Sequence, residues 1–259
     1  MTHFVGELIG TALFVMLGNS VNANMLLSRT KGENGSGGGG WMMICTGWAM
    51  ALFVGAAVAA SASGAHLNPA ITIGLWHAGE FPLARVPTYL AGQFLGAALG
   101  AVLVWLVFLP HWARTDDPAR KLACFGTAPA VRAPISNLFS EGIGTFVLVF
   151  GVLMFKATTM APASGAAPSA MQALAAVNVD LGAAGAIPIA LLFWSIALSL
   201  GGTTGFGFNP ARDLAPRLVH ALAPIPGKGS SDWSYAWIPV TGPILGGLCA
   251  GLVAKAVQL

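Results

Sequence analysis

Ser63-Gly64-Ala65-His66-Leu67-Asn68-Pro69-Ala70 and, 141 positions later, Thr204-Gly205-Phe206-Gly207-Phe208-Asn209-Pro210-Ala211 are the stretches from which the fold is read. Asn is a good N-cap and Pro suits the first helical position, so each Asn-Pro-Ala predicts a helix start. The apolar runs that follow, over 68–78 and 209–221, are too short to span a bilayer. A hydrocarbon core about 30 Å thick needs about 20 apolar helical residues. Both runs read as half-helices that enter a membrane and stop.

Six longer stretches do qualify as spans: 4–26, 41–62, 84–109, 138–155, 184–204 and 233–257. The chain of 259 residues is 56% hydrophobic and only 8% charged. Soluble domains carry about 25% charge, so the deficit is too large for a water-facing surface. The first apolar stretch is long enough to anchor, and no cationic segment precedes it as in a cleaved signal. The connector at 35–40 is glycine-rich and reads as flexible; 160–186 reads as irregular. Trp105, Trp112, Trp233 and Trp237 fall at span ends, where such rings either anchor at the interface or pack. Cys45, Cys124 and Cys249 fit neither a metal spacing nor a disulfide framework, and two of them read as small apolar residues. The net charge of +3 carries no basic run and no nucleic-acid footprint. No nucleophile–base pair or phosphate-binding loop stands out, which speaks against an enzyme.

The chain repeats itself. Glu7-Leu8-Ile9-Gly10-Thr11 recurs as Glu141-Gly142-Ile143-Gly144-Thr145, and Gly92-Gln93-Phe94-Leu95-Gly96 as Gly242-Pro243-Ile244-Leu245-Gly246. With the Asn-Pro-Ala pair, three signatures recur in one order at offsets of 134, 141 and 150. We expect one domain over 1–259, with repeat one about 1–110 and repeat two about 137–259. Each half holds three spans and one half-helix. An odd number of spans inverts the second half, the inverted-repeat architecture of transport proteins. The fold class is an all-α membrane protein with six transmembrane helices and two re-entrant half-helices.

Non-helical backbone at membrane depth survives only when buried in protein or lining a wet cavity. The segments 64–67 and 204–208 would offer carbonyls there, a ladder of acceptors for water or hydroxyls. Asn68 and Asn209 would cap the half-helices and turn amide N–H groups to the lumen. The facing helix N-termini carry positive partial charge, which repels cations and hydrated protons. The plainer role for either Asn is a cap alone. Glu7 and Glu141 lie inside apolar spans, where an isolated carboxylate is expensive. Accepting backbone N–H groups of the re-entrant loops is the expected task, in preference to proton transfer. Arg212, always charged near the membrane interior, demands a functional or paired setting.

The paired motifs in a duplicated six-span chain resemble the aquaporin or major intrinsic protein family over nearly the whole length. The resemblance implies a homotetramer in a lipid bilayer, one pore per subunit, passive conduction and no cofactor. It places Asn68, Pro69, Ala70, Asn209, Pro210 and Ala211 at the pore centre and His66 on the lumen side; a lone histidine is otherwise more often a core residue. It matches Trp48, Ala197, Phe206 and Arg212 to the four positions of the outer constriction, where Trp48 or Phe206 taken singly would read as packing.

Water-selective members place histidine where this chain has Ala197. A small residue there widens the ring and removes a donor. Trp48 and Phe206 would then form an apolar corner for a carbon backbone, and Arg212 would donate to neighbouring hydroxyls. Asp213 and Arg217, then Pro239 and Val240, also follow the glycerol-channel pattern, although glycerol facilitators usually carry Gly in place of Ala197. The expected function is therefore a channel for glycerol and similar small neutral solutes, with water. A water-selective aquaporin and a junctional protein with a vestigial pore stay as alternatives. The family orientation puts both termini in the cytoplasm of a cell-membrane protein. Three Lys/Arg residues (Arg85, Lys156, Lys255) then lie inside and nine outside, against the positive-inside rule.

Overall fold

The computed structural model describes residues 1–33, 40–155 and 182–258. The glycine connector up to residue 39, and the 160–186 stretch up to residue 181, lie outside the described residues. Among those described, all the regular secondary structure is helical. Six helices are long and apolar enough to cross a membrane: α1 (His3–Leu26), α2 (Gly40–Ser63), α4 (Val86–Val107), α5 (Pro134–Met154), α6 (Ile187–Leu200) and α8 (Ile238–Gln258). Helix α6 reaches spanning length through the 3-10 turns Gly182–Ala186 and Gly201–Thr203 at its ends. Two shorter helices, α3 (Pro69–Ala78) and α7 (Pro210–Leu222), follow the Asn-Pro-Ala motifs. At 1.5 Å per residue, the ten residues of α3 reach about 15 Å, half of a hydrocarbon core. Six crossings place both chain ends on one face.

Local chemistry explains the boundaries. Asn68 caps α3 by accepting the Ala70 N–H at 2.9 Å, and Gly79 ends the helix at φ 87, where a side chain would be strained. Helix α5 starts at Pro134, before the expected 138, because Asn137 reaches back to accept the Ala133 N–H at 2.9 Å. The last span starts at Ile238, not 233. Residues 233–237 instead form successive tight turns, with Tyr235 N–H on the Asp232 carbonyl at 3.1 Å and Ile238 N–H on Tyr235 at 3.0 Å. Trp233 and Trp237 therefore sit half-exposed on a loop, while Trp112 is buried and donates to the Trp105 carbonyl at 2.9 Å. Packing, rather than anchoring, accounts for Trp112.

The lipid-facing surface shows apolar side chains such as Leu106, Ile135, Phe139, Leu245 and Leu252 exposed on the spans. Helices apolar on all sides belong in a bilayer. Inside, glycines let backbones touch. A Cβ on Gly92 or Gly100 of α4 would sit 2.8 or 2.6 Å from the Phe4 or Ala12 carbonyl of α1. Gly242 of α8 meets Leu138 of α5 in the same way, at 3.1 Å. The halves also interlock. Half-helix α3 lies against α8 through Gly247, whose added Cβ would be 2.6 Å from the Ala70 carbonyl, and α7 packs on α4. Each half-helix is thereby buried against the third span of the other half, and their N-terminal ends meet in the protein interior.

Candidate functional site

The re-entrant segments share one backbone. Gly64, Ala65 and Leu67 have φ of 78, 54 and 51, and their counterparts Gly205, Phe206 and Phe208 have 83, 44 and 43. Four of these six are not glycine, and a non-glycine residue in the left-handed region costs energy that surrounding structure must hold. Buried carboxylates hold it. Glu7, fully buried on α1, accepts the His66 and Leu67 N–H groups at 2.9 and 2.8 Å. Glu141, fully buried on α5, accepts those of Gly207 and Phe208 at 3.0 and 2.7 Å. Glu7 also accepts from the Ser63 hydroxyl at 2.6 Å and the Gln93 amide at 2.7 Å. Gln93 donates further to Thr72, at 3.0 Å, and repeat two has Pro243 in its place.

The two motifs are cross-linked. Asn68 Nδ2 donates to the Phe208 carbonyl and Asn209 Nδ2 to the Leu67 carbonyl, each at 2.8 Å. Asn209 Oδ1 accepts the Ala211 and Arg212 N–H groups at 3.0 and 3.1 Å. Each amide thus gives one N–H to the opposite loop, which leaves the other for the lumen. Pro69, Ala70, Pro210 and Ala211 are buried in the first turns of the half-helices. His66, Asn68, Asn209 and Arg212 line one narrow cavity, walled also by Phe14, Leu52 and Phe193. On the chain-end side lies a wider cavity of about 310 Å³ that His66 shares with Gly64 and Ala65. The His66 imidazole contacts the Thr72 hydroxyl at 3.0 Å.

Arg212 ends the narrow cavity on the other side. Its guanidinium carbon lies 4.0 Å over the Trp48 ring and 5.7 Å from that of Phe206. The rings of Trp48 and Phe206 meet edge-on at 6.1 Å and 80°. Trp48 is fixed by donating Nε1 to Asn22 Oδ1 at 3.0 Å, with Gly18 making room for its ring. Gly201 does the same for Phe206. Ala197, fully buried on α6, belongs to the same apolar cluster as Trp48 and Phe206. Asp213, one residue beyond Arg212, points away, into a buried ion pair with Arg217 at 2.8 Å. Sequence reasoning missed Asn22, Phe14 and Phe193. Phe14 and Phe193 are ordinary apolar residues on spans; Asn22 is a polar residue inside a span, a signal that was there to follow.

Residues 1–254 match the profile of the family described as Major intrinsic protein. A Thermotoga maritima protein named "Probable glycerol uptake facilitator protein" is 47% identical, with 96% of each chain covered. The Bacillus subtilis "Glycerol uptake facilitator protein" is 44% identical over 99% of this chain and 85% of that one. Among solved structures, the Plasmodium falciparum aquaglyceroporin superposes with a TM-score of 0.78 at 26% identity, covering 99% of this chain and 96% of that one.

Proposed function

This chain belongs to the major intrinsic protein family, and from that premise we propose that it is a passive channel for glycerol and similar small neutral solutes, with water. The observation that carries this reading is the ring geometry: Arg212 beside the edge-on pair Trp48–Phe206, with alanine at position 197. One side of such a ring is apolar and the other donates hydrogen bonds, matching a polyol with carbons on one edge and hydroxyls on the other. The alanine leaves space that histidine would fill. The names of the relatives support the same substrate class.

In this reading a permeant entering from the Arg212 side is stripped of water at the ring. It then passes Asn68 and Asn209, which offer their remaining N–H groups to its oxygens. Carbonyls of the two re-entrant segments accept hydrogen bonds from its hydroxyls, and it leaves past His66. The opposed half-helix N-termini and Arg212 keep the potential positive, so cations and protons are excluded. Glu7, Glu141 and Asp213 support the walls. Transport is downhill and uses no cofactor. The chain acts as one duplicated domain in a homotetramer in the cell membrane, with cytoplasmic termini.

Several cations on the opposite face are engaged in the structure, although Arg29, Lys31, Arg114 and Arg120 still leave the surplus on that face. Arg217 is in a buried ion pair, Lys121 bonds the Pro226 carbonyl, and Lys228 bonds the carbonyls of Ala221 and Ala223 at 2.7 Å. Arg132 pairs with Asp232. These residues close loops over the mouth and have a structural reason to be there.

The test is stopped-flow light scattering on proteoliposomes under glycerol and water gradients. Glycerol should equilibrate well above the lipid background. Fast water flux with background glycerol flux would instead favour a water-selective channel.

A further inference from the structure

Two buried acids lie close to Arg212, yet among the described residues it forms no ion pair. Both are committed elsewhere. Glu141 spends its oxygens on Gly207 and Phe208. Asp213 spends both on a single cluster: Oδ1 accepts from Arg217 Nε at 2.8 Å, and Oδ2 accepts from Arg217 Nη2 at 3.1 Å and from the Thr127 N–H and hydroxyl at 2.6 and 2.7 Å. Arg217 is fully buried, and its remaining donors hold the Thr127 and Ser231 carbonyls at 2.6 and 2.8 Å. Gly126 presses on it so closely that an added Cβ would stand 2.9 Å from the guanidinium carbon.

We infer that Arg217 is a charge-balancing and positioning residue for the constriction: by occupying Asp213 it leaves Arg212 unpaired and keeps the outer half of the pore from turning negative. The inference rests on reading the ring as the selectivity constriction. Arg212 and Arg217 face Glu141 and Asp213, and the four formal charges sum to zero. Successive helix residues point apart, which turns Asp213 from Arg212, and its partner on the far side fixes it there. Remove Arg217, and a carboxylate stripped of its counter-charge, held only by the Thr127 N–H and hydroxyl, remains one residue from the guanidinium of the ring. Buried charges seek partners, and in low dielectric their fields reach several ångströms. Arg212 would be drawn toward Asp213, and the barrier to cations would fall.

Charge, not scaffolding, should then decide the phenotype. Full-length protein in liposomes would be assayed for proton leak with a trapped pH-sensitive dye and for glycerol flux by light scattering, both normalised to inserted protein. Arg217→Met should raise proton leak by about tenfold or more and lower glycerol flux. Arg217→Lys keeps the charge but forfeits most of the hydrogen bonds, and it should keep the leak near the starting level. Asp213→Asn added to Arg217→Met removes the stranded carboxylate and should bring the leak back down although the clasp is gone. Arg217→Gln carries the same charge loss should the methionine variant fail to fold. Overturning results are a lysine variant as leaky as the methionine one, a double variant leakier than the single, or no rise in leak when the charge is removed. Unaltered protein that passes no glycerol would sink the channel reading itself, separately from the ranking of leaks.

Discussion

Glu7→Gln removes one oxygen from a carboxylate on which four donors converge. Oε1 accepts from Ser63 and His66, and Oε2 from Leu67 and Gln93, at 2.6 to 2.9 Å. A glutamine amide offers one acceptor oxygen and one donor group, and either orientation sets the donor against one backbone N–H. The side-chain partners can adapt. The Ser63 hydroxyl can rotate to accept, and Gln93 can flip, because its Oε1 has no partner. The backbone cannot: His66 and Leu67 belong to a segment held at left-handed φ by these same bonds. One buried N–H is stranded, at about 1–3 kcal/mol, and the surviving bonds lose charge assistance. Relief from burying a carboxylate offsets part of that second loss. We expect a net cost of about 1–3 kcal/mol, or a fall of roughly 3–10 °C in the unfolding midpoint for a chain of this size. Glycerol flux should fall as well, since the Leu67 carbonyl anchors Asn209 across the pore. Thermal unfolding in detergent and proteoliposome flux measure the two effects. A variant matching the unaltered protein in both would refute the claim that Glu7 holds the re-entrant segment.

Ala197→His should cut glycerol flux roughly ten- to a hundredfold while largely sparing water, since overpacking a close-fitting site costs about 1–3 kcal/mol; unchanged glycerol flux would remove Ala197 from the constriction. Asn209→Ala loses two cap bonds and the link to Leu67, and should destabilise by about 1–3 kcal/mol in thermal unfolding, beyond a lone cap's typical loss of about 1. Burial alone would push the Asp232 carboxyl up, but hydrogen bonds from Arg132 and Ser234 and the fields of Arg132 and Arg217 hold it below its ordinary value. Its depressed folded value means the contribution is present at neutral pH and lost as pH falls through that value, so Arg132→Ala should weaken the loop over 223–237 at pH 7 and matter little in strong acid. Hydrogen exchange of that loop at the two pH values would measure this, and an Arg132→Ala effect that grows in acid would contradict it.

The half-helices were legible because their signals are local. Asn caps within two residues, Pro fits the first turn, and the shortness of the apolar run needs only counting. The carboxylates were legible because charge at membrane depth must find partners, and the free backbone groups of a broken helix are the partners at hand. What stayed hidden was long-range. The partner of Arg217 at Thr127 lies 90 positions away, in a loop with no recurrent pattern. The partner of Trp48 lies 26 positions back, on a helix separated from it by the glycine connector. Left-handed backbone at Ala65, Leu67, Phe206 and Phe208 was equally hidden, since only glycine advertises such angles.

The duplication also tells where the two halves must differ. Their re-entrant segments have the same backbone signs at matching positions, so the difference lies in side chains. Where repeat one has Ala65, His66 and Leu67, repeat two has Phe206, Gly207 and Phe208. Two rings in place of a methyl and an isobutyl group demand room, and the second half supplies it. Gly201 lies under Phe206, Gly144 lies under Phe208, and an added Cβ on Gly207 would stand 2.7 Å from Glu141. A leucine of the other half has comparable support: Gly10 faces Leu67, with its added Cβ 2.6 Å away. Close glycine packing is thus common to both halves, while the paired phenyl rings belong to the second. In the proposed channel the Trp48–Phe206 corner has no counterpart in the first re-entrant segment, where His66 borders a cavity of about 310 Å³. The two ends thus carry different ring clusters, Trp48 with Phe206 at one and His66 with Phe81 and Tyr89 at the other, on re-entrant backbones of the same shape.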